Sequence, residues 1–144
     1  MLKKTGDLHF AKKEYLDATK SYTAAVNVLA ALRGSAIGEK AVISCLANQA
    51  QCFLKLEKYV ETISTCNYAL SVPSICHEIH LWTKLLIRKS CALEAMKETE
   101  NALLCLDIAI SLGTAVSTEI DETRSRLISR ELETINNDVF LQTF

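Results

Sequence analysis

Two pairs of charged side chains and one amide stand at spacings that suit the binding of an anion. Lys3 and Asp7 are four residues apart, as are Lys84 and Arg88, so each pair lies on one face of its segment if that segment is helical. Asn48 lies between the pairs in the sequence and offers a neutral donor. A charge-assisted hydrogen bond from a lysine or arginine to a carboxylate contributes roughly 1.5–3 kcal/mol. These residue types therefore indicate a carboxylate-binding site.

The same residues also have a simpler interpretation. Lys3 and Asp7 fit an ordinary solvated ion pair, and Lys84 and Arg88 fit ordinary surface charges, which contribute little to stability. Asp7 cannot donate a hydrogen bond when ionised. At about 6 Å from a ligand carboxylate, with an effective dielectric constant of about 20, it would cost about 3 kcal/mol before screening. Unless Lys3 neutralises it, Asp7 is expected to weaken an anion site or to shift it to another ligand.

These side chains are expected to lie on helices. The 144 residues include only one proline and four glycines, and such a scarcity of helix-breaking residues favours a helical chain. The sequence shows no sustained alternation of period two, so an all-α chain is predicted. A small residue is followed 19 positions later by an alanine in three places, and this constant spacing indicates a repeat. The three pairs are Gly6 and Ala25, Ala50 and Ala69, and Ser90 and Ala109.

This pattern, best seen in GDLHFAKKEYLDATKSYTAAV, resembles the tetratricopeptide repeat (TPR), a helix–turn–helix unit of 34 residues. The resemblance implies a TPR solenoid of three helical hairpins in residues 1–113, at about 2–30, 42–73 and 82–112. The excess over 34 residues falls between the hairpins, either as longer connections or as helices extended by a turn or two. Side chains expected to be buried are Phe10, Tyr15, Tyr22, Phe53, Tyr59, Ala25, Ala69 and Ala109.

The charged pairs make the resemblance more specific. TPR domains of Hop-like cochaperones hold the C-terminal carboxylates of heat-shock chaperones in a carboxylate clamp, with the pattern Lys-x-x-x-Asn, then Asn, then Lys-x-x-x-Arg. The matching positions here are Lys3, Asp7, Asn48, Lys84 and Arg88, with Asp7 in place of the asparagine. Asn48 and Arg88 each precede the small residue of their repeat by two positions, so they are equivalent.

The resemblance implies a protein-binding module for the acidic C-terminal tail, Glu-Glu-Val-Asp-like, of a 70- or 90-kDa heat-shock chaperone. A TPR scaffold that binds an internal segment of another protein is the alternative. A scaffold with a purely structural role is a third interpretation. Because the first repeat starts within a residue or two of Met1, we expect a domain taken from a longer protein.

Residues 114–144 have a different pattern, in which charged residues flank an apolar stripe of helical spacing. The stripe consists of Ile120, Leu127, Ile128, Leu132, Ile135 and Val139. A solenoid needs a terminal helix with a polar outer face, so this segment is predicted to be a C-terminal capping helix. Its last residues, VFLQTF, could instead be an interaction tail.

Composition argues against several other classes of function. The net charge of -1 and the lack of exposed aromatics among the lysines disfavour nucleic acid, and no apolar run or leader pattern indicates a membrane segment or signal peptide. Six cysteines without a C-x-x-C pair suggest reduced thiols in a cytoplasmic protein. Cys76, His77 and His80 lack the second ligand pair of a zinc site, so no metal or cofactor is expected. No catalytic motif is present, so an enzyme is not predicted.

Overall fold

The chain forms a series of antiparallel α-helices. The computed structural model describes residues 2–31, 35–113 and 117–142, and it describes the side chains of the last helix over 120–137. No strand occurs within these ranges. The helices are α1 Leu2–Ala11, α2 Tyr15–Ala30, α3 Ala36–Lys55, α4 Tyr59–Ser71, α5 Ile79–Ala95, α6 Thr99–Ser111 and α7 Ser117–Gln142, with a 3₁₀ helix at Pro73–His77 between α4 and α5.

Consecutive helices pair into three hairpins, α1–α2, α3–α4 and α5–α6, and the hairpins stack through α2–α3 and α4–α5. The prediction of three stacked hairpins is confirmed. The alanines that end the repeat pattern are buried, because Ala25 is 4% exposed and Ala69 and Ala109 are 0% exposed. Small residues at these positions allow neighbouring helices to approach closely.

The predicted burial of five aromatic rings is confirmed only for Tyr22, which is 1% exposed. Phe10, Tyr15, Phe53 and Tyr59 are partly exposed, so the prediction was wrong for these four rings. Each of them lies next to a hairpin turn, near one end of its helix, and is only partly covered. Phe10 and Tyr15 pack edge to face there, with ring centroids 5.6 Å apart.

The three hairpin turns share one backbone geometry. Lys13, Glu57 and Lys97 each have a positive φ, of 61°, 58° and 62°. In every turn the amide of the next residue donates to a carbonyl five positions earlier, for example Glu14 N to His9 O at 2.8 Å. This is the hydrogen-bonding pattern of a Schellman turn, which ends a helix with one left-handed residue. The repetition gives the three hairpins the same turn geometry.

The extra residues between hairpins extend α3 and form the 3₁₀ helix. The helix α3 begins at Ala36, where the Ser35 hydroxyl accepts a hydrogen bond from Gly38 N at 3.3 Å. The 3₁₀ helix fills the second connection, and Ile75 within it is buried. The division into a repeat domain of residues 1–113 and a segment of residues 114–144 stays a prediction, because 114–116 lie outside the described residues.

The last helix, α7, packs against α6. Ile120 and Leu127 are 2% and 0% exposed, in one cluster with Leu106 and Ala109 of α6. Of the other apolar residues in the predicted stripe, Ile128 is partly exposed and Leu132 and Ile135 are exposed, while the side chain of Val139 lies outside the described residues. The chain thus has a C-terminal capping helix whose first half is docked. The described helices include none long and apolar enough to cross a membrane.

Arginines of α7 add ion pairs to this packing. Arg126 binds Glu94 of α5 through two hydrogen bonds, Nε to Oε1 at 3.1 Å and Nη2 to Oε2 at 2.7 Å. Arg130 Nη1 donates to the same Oε1 at 2.7 Å. Arg124 Nε donates to Asp107 of α6 at 2.9 Å. The side chain of Glu94 is only 13% exposed, so its pairs are less screened by solvent than ordinary surface pairs.

All six cysteines are free thiols, and they differ in burial. Burial raises the pKa of Cys66 to about 12 and that of Cys52 to about 11, which keeps both protonated and unreactive at neutral pH. Cys76 is exposed and Cys91 is partly exposed. We therefore expect a thiol reagent to label Cys76 first in the folded chain, and Cys76→Ser to remove this fast phase. A fast phase that persists in Cys76→Ser would contradict the burial described here.

Candidate functional site

The first helices of the hairpins, α1, α3 and α5, bring the five predicted site residues to one face. Asn48 Nδ2 on α3 donates to Asp7 Oδ1 on α1 at 3.4 Å. Arg88 Nη1 on α5 donates to the carbonyl oxygen of Ala47 at 2.6 Å. Since Ala47 and Asn48 are consecutive residues of α3, α1 and α5 approach the same turn of α3 from its two sides. The structure thus has two neighbouring parts, which we call the α1–α3 half-site and the α3–α5 cleft.

The α1–α3 half-site consists of Lys3, Asp7, Tyr22 and Asn48, and three of these residues donate to the fourth. Lys3 Nζ lies 3.1 Å from Asp7 Oδ2, and the Tyr22 hydroxyl lies 2.5 Å from Asp7 Oδ1. The Asn48 bond to the same Oδ1 completes the set. Lys3 and Asp7 are therefore more than an isolated surface pair, because α2 and α3 also contribute donors.

Electrostatics keep the Asp7 carboxylate charged. Burial raises the pKa of Asp7, but the hydrogen bonds from Tyr22, Lys3 and Asn48 outweigh it and hold that pKa below its usual value. Burial and the adjacent carboxylate raise the pKa of Tyr22, so its hydroxyl stays a neutral donor. A lowered pKa stabilises the folded chain above the unfolded pKa, and this contribution is lost as the pH falls through the folded value. The half-site thus holds a carboxylate anion at neutral pH.

The α3–α5 cleft lies between the C-terminal half of α3 and the facing side of α5, and it has a volume of about 580 Å³. Its lining includes three cations and, among the described residues, no acid. The chain as a whole has a net charge of -1, so the cleft is a local concentration of positive charge. Its lining includes Gln51, Lys55, Tyr59, Lys84, Ile87 and Arg88.

The cations of the cleft are placed to bind an anion. Lys84 and Lys55 are exposed, and within the part of the chain that the structure describes neither is paired with an acid. Arg88 is partly buried and donates a hydrogen bond to the Ala47 carbonyl. Tyr59 and Ile87 supply apolar surface beside these charges. The cleft can therefore receive an acidic side chain together with an apolar neighbour.

Sequence reasoning missed three contributors to this face. Tyr22 was assigned to the core, yet its hydroxyl reaches Asp7 from inside the first hairpin. Lys55 and Tyr59 flank the turn of the second hairpin, where charged and aromatic residues look ordinary. In the sequence, only the repeat positions of Lys55 and Tyr59 could have placed them near Lys84 and Arg88. That inference requires knowing that the end of α3 runs alongside α5.

A separate cluster lies at the turn of the first hairpin. His9 Nδ1 and Glu14 Oε2 are 2.6 Å apart. A carboxylate oxygen of Asp17 lies within 4.8 Å of the nearest nitrogen of His9 and oxygen of Glu14. Both acids are exposed, and a histidine–carboxylate pair accounts for the contact. The structure thus pairs His9 with Glu14. Cys76 and His77 lie in the 3₁₀ helix and His80 in α5, and all three are exposed.

Comparison with solved structures identifies the architecture. The first TPR of Spaghetti (RPAP3), bound to the HSP90 peptide SRMEEVD, has a TM-score of 0.69 and 21% identity, over 92% of this chain and 90% of that chain. The Hsp90 co-chaperone Cns1 from Saccharomyces cerevisiae has a TM-score of 0.78 and 22% identity, over 99% of this chain and 42% of that chain. The myosin chaperone UNC-45 from C. elegans, in complex with a Hsp90 peptide, has a TM-score of 0.72 and 21% identity, over 97% of this chain and 14% of that chain.

At sequence identities of 21–22%, these comparisons establish a shared fold and no more. No protein-family model matches the sequence, and a search of curated proteins gives no significant match.

Proposed function

We propose that this chain, whose fold is that of a TPR solenoid, is a protein-binding module that holds an acidic peptide along α1, α3 and α5. The ligand is the acidic C-terminal tail of a 70- or 90-kDa heat-shock chaperone, Glu-Glu-Val-Asp-like, held by a carboxylate clamp. The clamp positions are Lys3, Asp7, Asn48, Lys84 and Arg88, of which Lys84 and Arg88 line the α3–α5 cleft. The α3–α5 cleft carries this proposal, because three cations line it and none of its described lining residues is acidic.

The chemistry of the cleft suits such a tail. Carboxylates of the peptide would receive charge-assisted hydrogen bonds from Lys84 and Arg88. Arg88 is already oriented by its bond to the Ala47 carbonyl, so less side-chain freedom is lost on binding. Tyr59 and Ile87 offer contacts for an apolar residue between acidic ones. The cleft thus offers charge pairing, a pre-oriented donor and apolar contact for such a ligand.

The structural comparisons support the same class of ligand. Two similar structures contain an Hsp90 peptide, and the one with RPAP3 contains a peptide that ends in Glu-Glu-Val-Asp. A module of this kind works in the cytoplasm, where such chaperone tails are available.

A second candidate is a TPR scaffold that binds an internal acidic segment of another protein. Asp7 favours it, because a carboxylate in the α1–α3 half-site repels an incoming one. The two candidates share the α3–α5 cleft and differ in whether the ligand needs a free C-terminus.

Variants of the cleft test the proposal by calorimetry with a peptide that ends in Glu-Glu-Val-Asp. Lys84→Ala and Arg88→Ala should each weaken binding by about 1.5–3 kcal/mol, which is roughly 10- to 150-fold in Kd, because each removes a charge-assisted donor. Added salt should weaken wild-type binding through screening.

The matched control is Lys20→Ala, which removes an exposed lysine from α2, away from the cleft. This control should bind like the wild type. If Lys84→Ala and Arg88→Ala also bind like the wild type, the acidic ligand does not occupy the cleft and the proposed function is wrong.

A further inference from the structure

The α1–α3 half-site already contains the kind of group that it would otherwise bind. Lys3 Nζ and Asn48 Nδ2 donate to the two oxygens of Asp7, and the Tyr22 hydroxyl donates to one of them. These donors come from three helices and converge on one carboxylate. A peptide carboxylate entering this half-site would have to share the Lys3 and Asn48 donors with Asp7 and would lie close to its negative charge.

We propose that Asp7 acts as an internal substitute for a ligand carboxylate and makes acidic-peptide binding independent of a free C-terminus. This inference rests on the proposed function and names the specificity of the same site. Asp7 is thus a specificity-determining residue, and its effect is to confine recognition to the α3–α5 cleft. The ligand class becomes acidic segments, internal or terminal, whose side-chain carboxylates enter that cleft.

Three features keep the Asp7 carboxylate in the place of a ligand carboxylate. Asp7 is fixed to α1 by its backbone, so it cannot leave the half-site as a free ligand can. The hydrogen bonds from Tyr22, Lys3 and Asn48 hold its pKa below the usual value, so it remains charged at neutral pH. A second carboxylate brought beside it would meet repulsion between like charges at short range.

The α3–α5 cleft retains a different set of donors. Lys55 and Lys84 both line it, and neither is paired with an acid among the described residues. An acidic side chain therefore meets unneutralised lysines in the cleft, whereas a terminal carboxylate in the half-site meets the negative charge of Asp7. Both the glutamates and the final aspartate side chain of a chaperone tail can use the cleft, and so can glutamates within a longer segment.

Two peptides separate these possibilities. Both end in the sequence Met-Glu-Glu-Val-Asp, one as the free acid and one as the C-terminal amide, and calorimetry gives the Kd of each for the wild type. We expect the two Kd values to agree within about threefold. A free acid that binds the wild type ten times more tightly than the amide would overturn the inference while leaving the proposed function standing.

The Asp7→Asn variant provides the complementary result. Its amide oxygen can still accept from Tyr22, while its amide group and the released Lys3 become donors for a carboxylate. The free acid should then bind the variant about tenfold more tightly than it binds the wild type, and the amide should bind both equally. An unchanged ratio of acid to amide in folded Asp7→Asn would also overturn the inference.

The matched control is Asp17→Asn, which makes the same chemical change at an exposed position of α2. For this control, the ratio of the Kd values for the free acid and the amide should equal that of the wild type. A failure of both peptides to bind the wild type would contradict the proposed function itself, so the two failures are distinguishable. The comparison of acid and amide on the wild type needs no variant and therefore does not depend on how well Asp7→Asn folds.

Discussion

Deletion of residues 115–144 should lower the melting temperature sharply and cause aggregation, because it uncovers the apolar side of the third hairpin. The removed segment contains Ile120 and Leu127, both of which are almost fully buried against α6. It also contains Arg126 and Arg130, which pair with the largely buried Glu94. Removing the partners of a buried charge adds to the loss of apolar contact. Differential scanning calorimetry and light scattering measure the two effects.

Single substitutions make the same test without a truncation. Leu127→Ala should cost about 3 kcal/mol, because it leaves a cavity at a residue that is 0% exposed. Leu132→Ala, on the same helix at a residue that is 54% exposed, is the matched control and should change stability by less than about 0.5 kcal/mol. If the two variants unfold at the same denaturant concentration, α7 does not dock through Leu127. A truncated chain as soluble and stable as the full one would show that the helix is an appendage.

Gly6→Leu should have the second large effect, a loss of about 3 kcal/mol in the free energy of unfolding. A Cβ atom at Gly6 would lie 2.7 Å from Cε1 and 2.8 Å from Cδ1 of Tyr22, so a larger side chain forces α1 away from α2. The Tyr22 ring is itself 1% exposed and has little space to move. Chemical denaturation followed by circular dichroism gives the change in stability.

Lys4→Leu is the matched control for Gly6→Leu, because it adds a leucine to the same helix at an exposed position. It should leave the unfolding midpoint within the range of ordinary surface substitutions. A Gly6→Leu variant as stable as Lys4→Leu would contradict the close packing of α1 on Tyr22.

The repeat pattern predicted the packing of the hairpins because it records contacts inside each one. Gly6 faces Tyr22, and the equivalent pairs in the next hairpins are Ala50 with Cys66 and Ser90 with Leu106. The first hairpin combines the largest of these partners with glycine, whose lack of a Cβ provides the space. Such local complementarity is visible in the sequence once the 19-residue spacing is recognised.

Backbone geometry at the turns was not predictable in the same way. Lys13, Glu57 and Lys97 adopt a left-handed conformation that usually favours glycine or asparagine. The same hydrogen bonds close all three turns. Closing the hairpin therefore outweighs the local conformational preference of these residues. Only the equal positions of the three residues in the repeat could have suggested it.

The candidate site was partly predictable. The helical spacing identified Lys3 with Asp7 and Lys84 with Arg88, because residues four apart share a helix face. The spacing did not identify the bond from the Tyr22 hydroxyl, because that depends on how closely α2 approaches α1. Nor did it place Lys55 beside Lys84, which depends on the alignment of α3 with α5. Contacts between helices thus determine the charge balance of the site.

The most direct test of the central claim is a map of where an acidic peptide binds. The chain, labelled with ¹⁵N, is titrated with an unlabelled peptide ending in Glu-Glu-Val-Asp, and amide chemical shifts are recorded at low salt. The account predicts that the largest shift changes surround Lys55, Lys84 and Arg88 in the α3–α5 cleft, and that the exposed faces of α2, α4 and α6 change little. Shift changes concentrated on those outer helices or on α7, or no change at millimolar peptide, would contradict it.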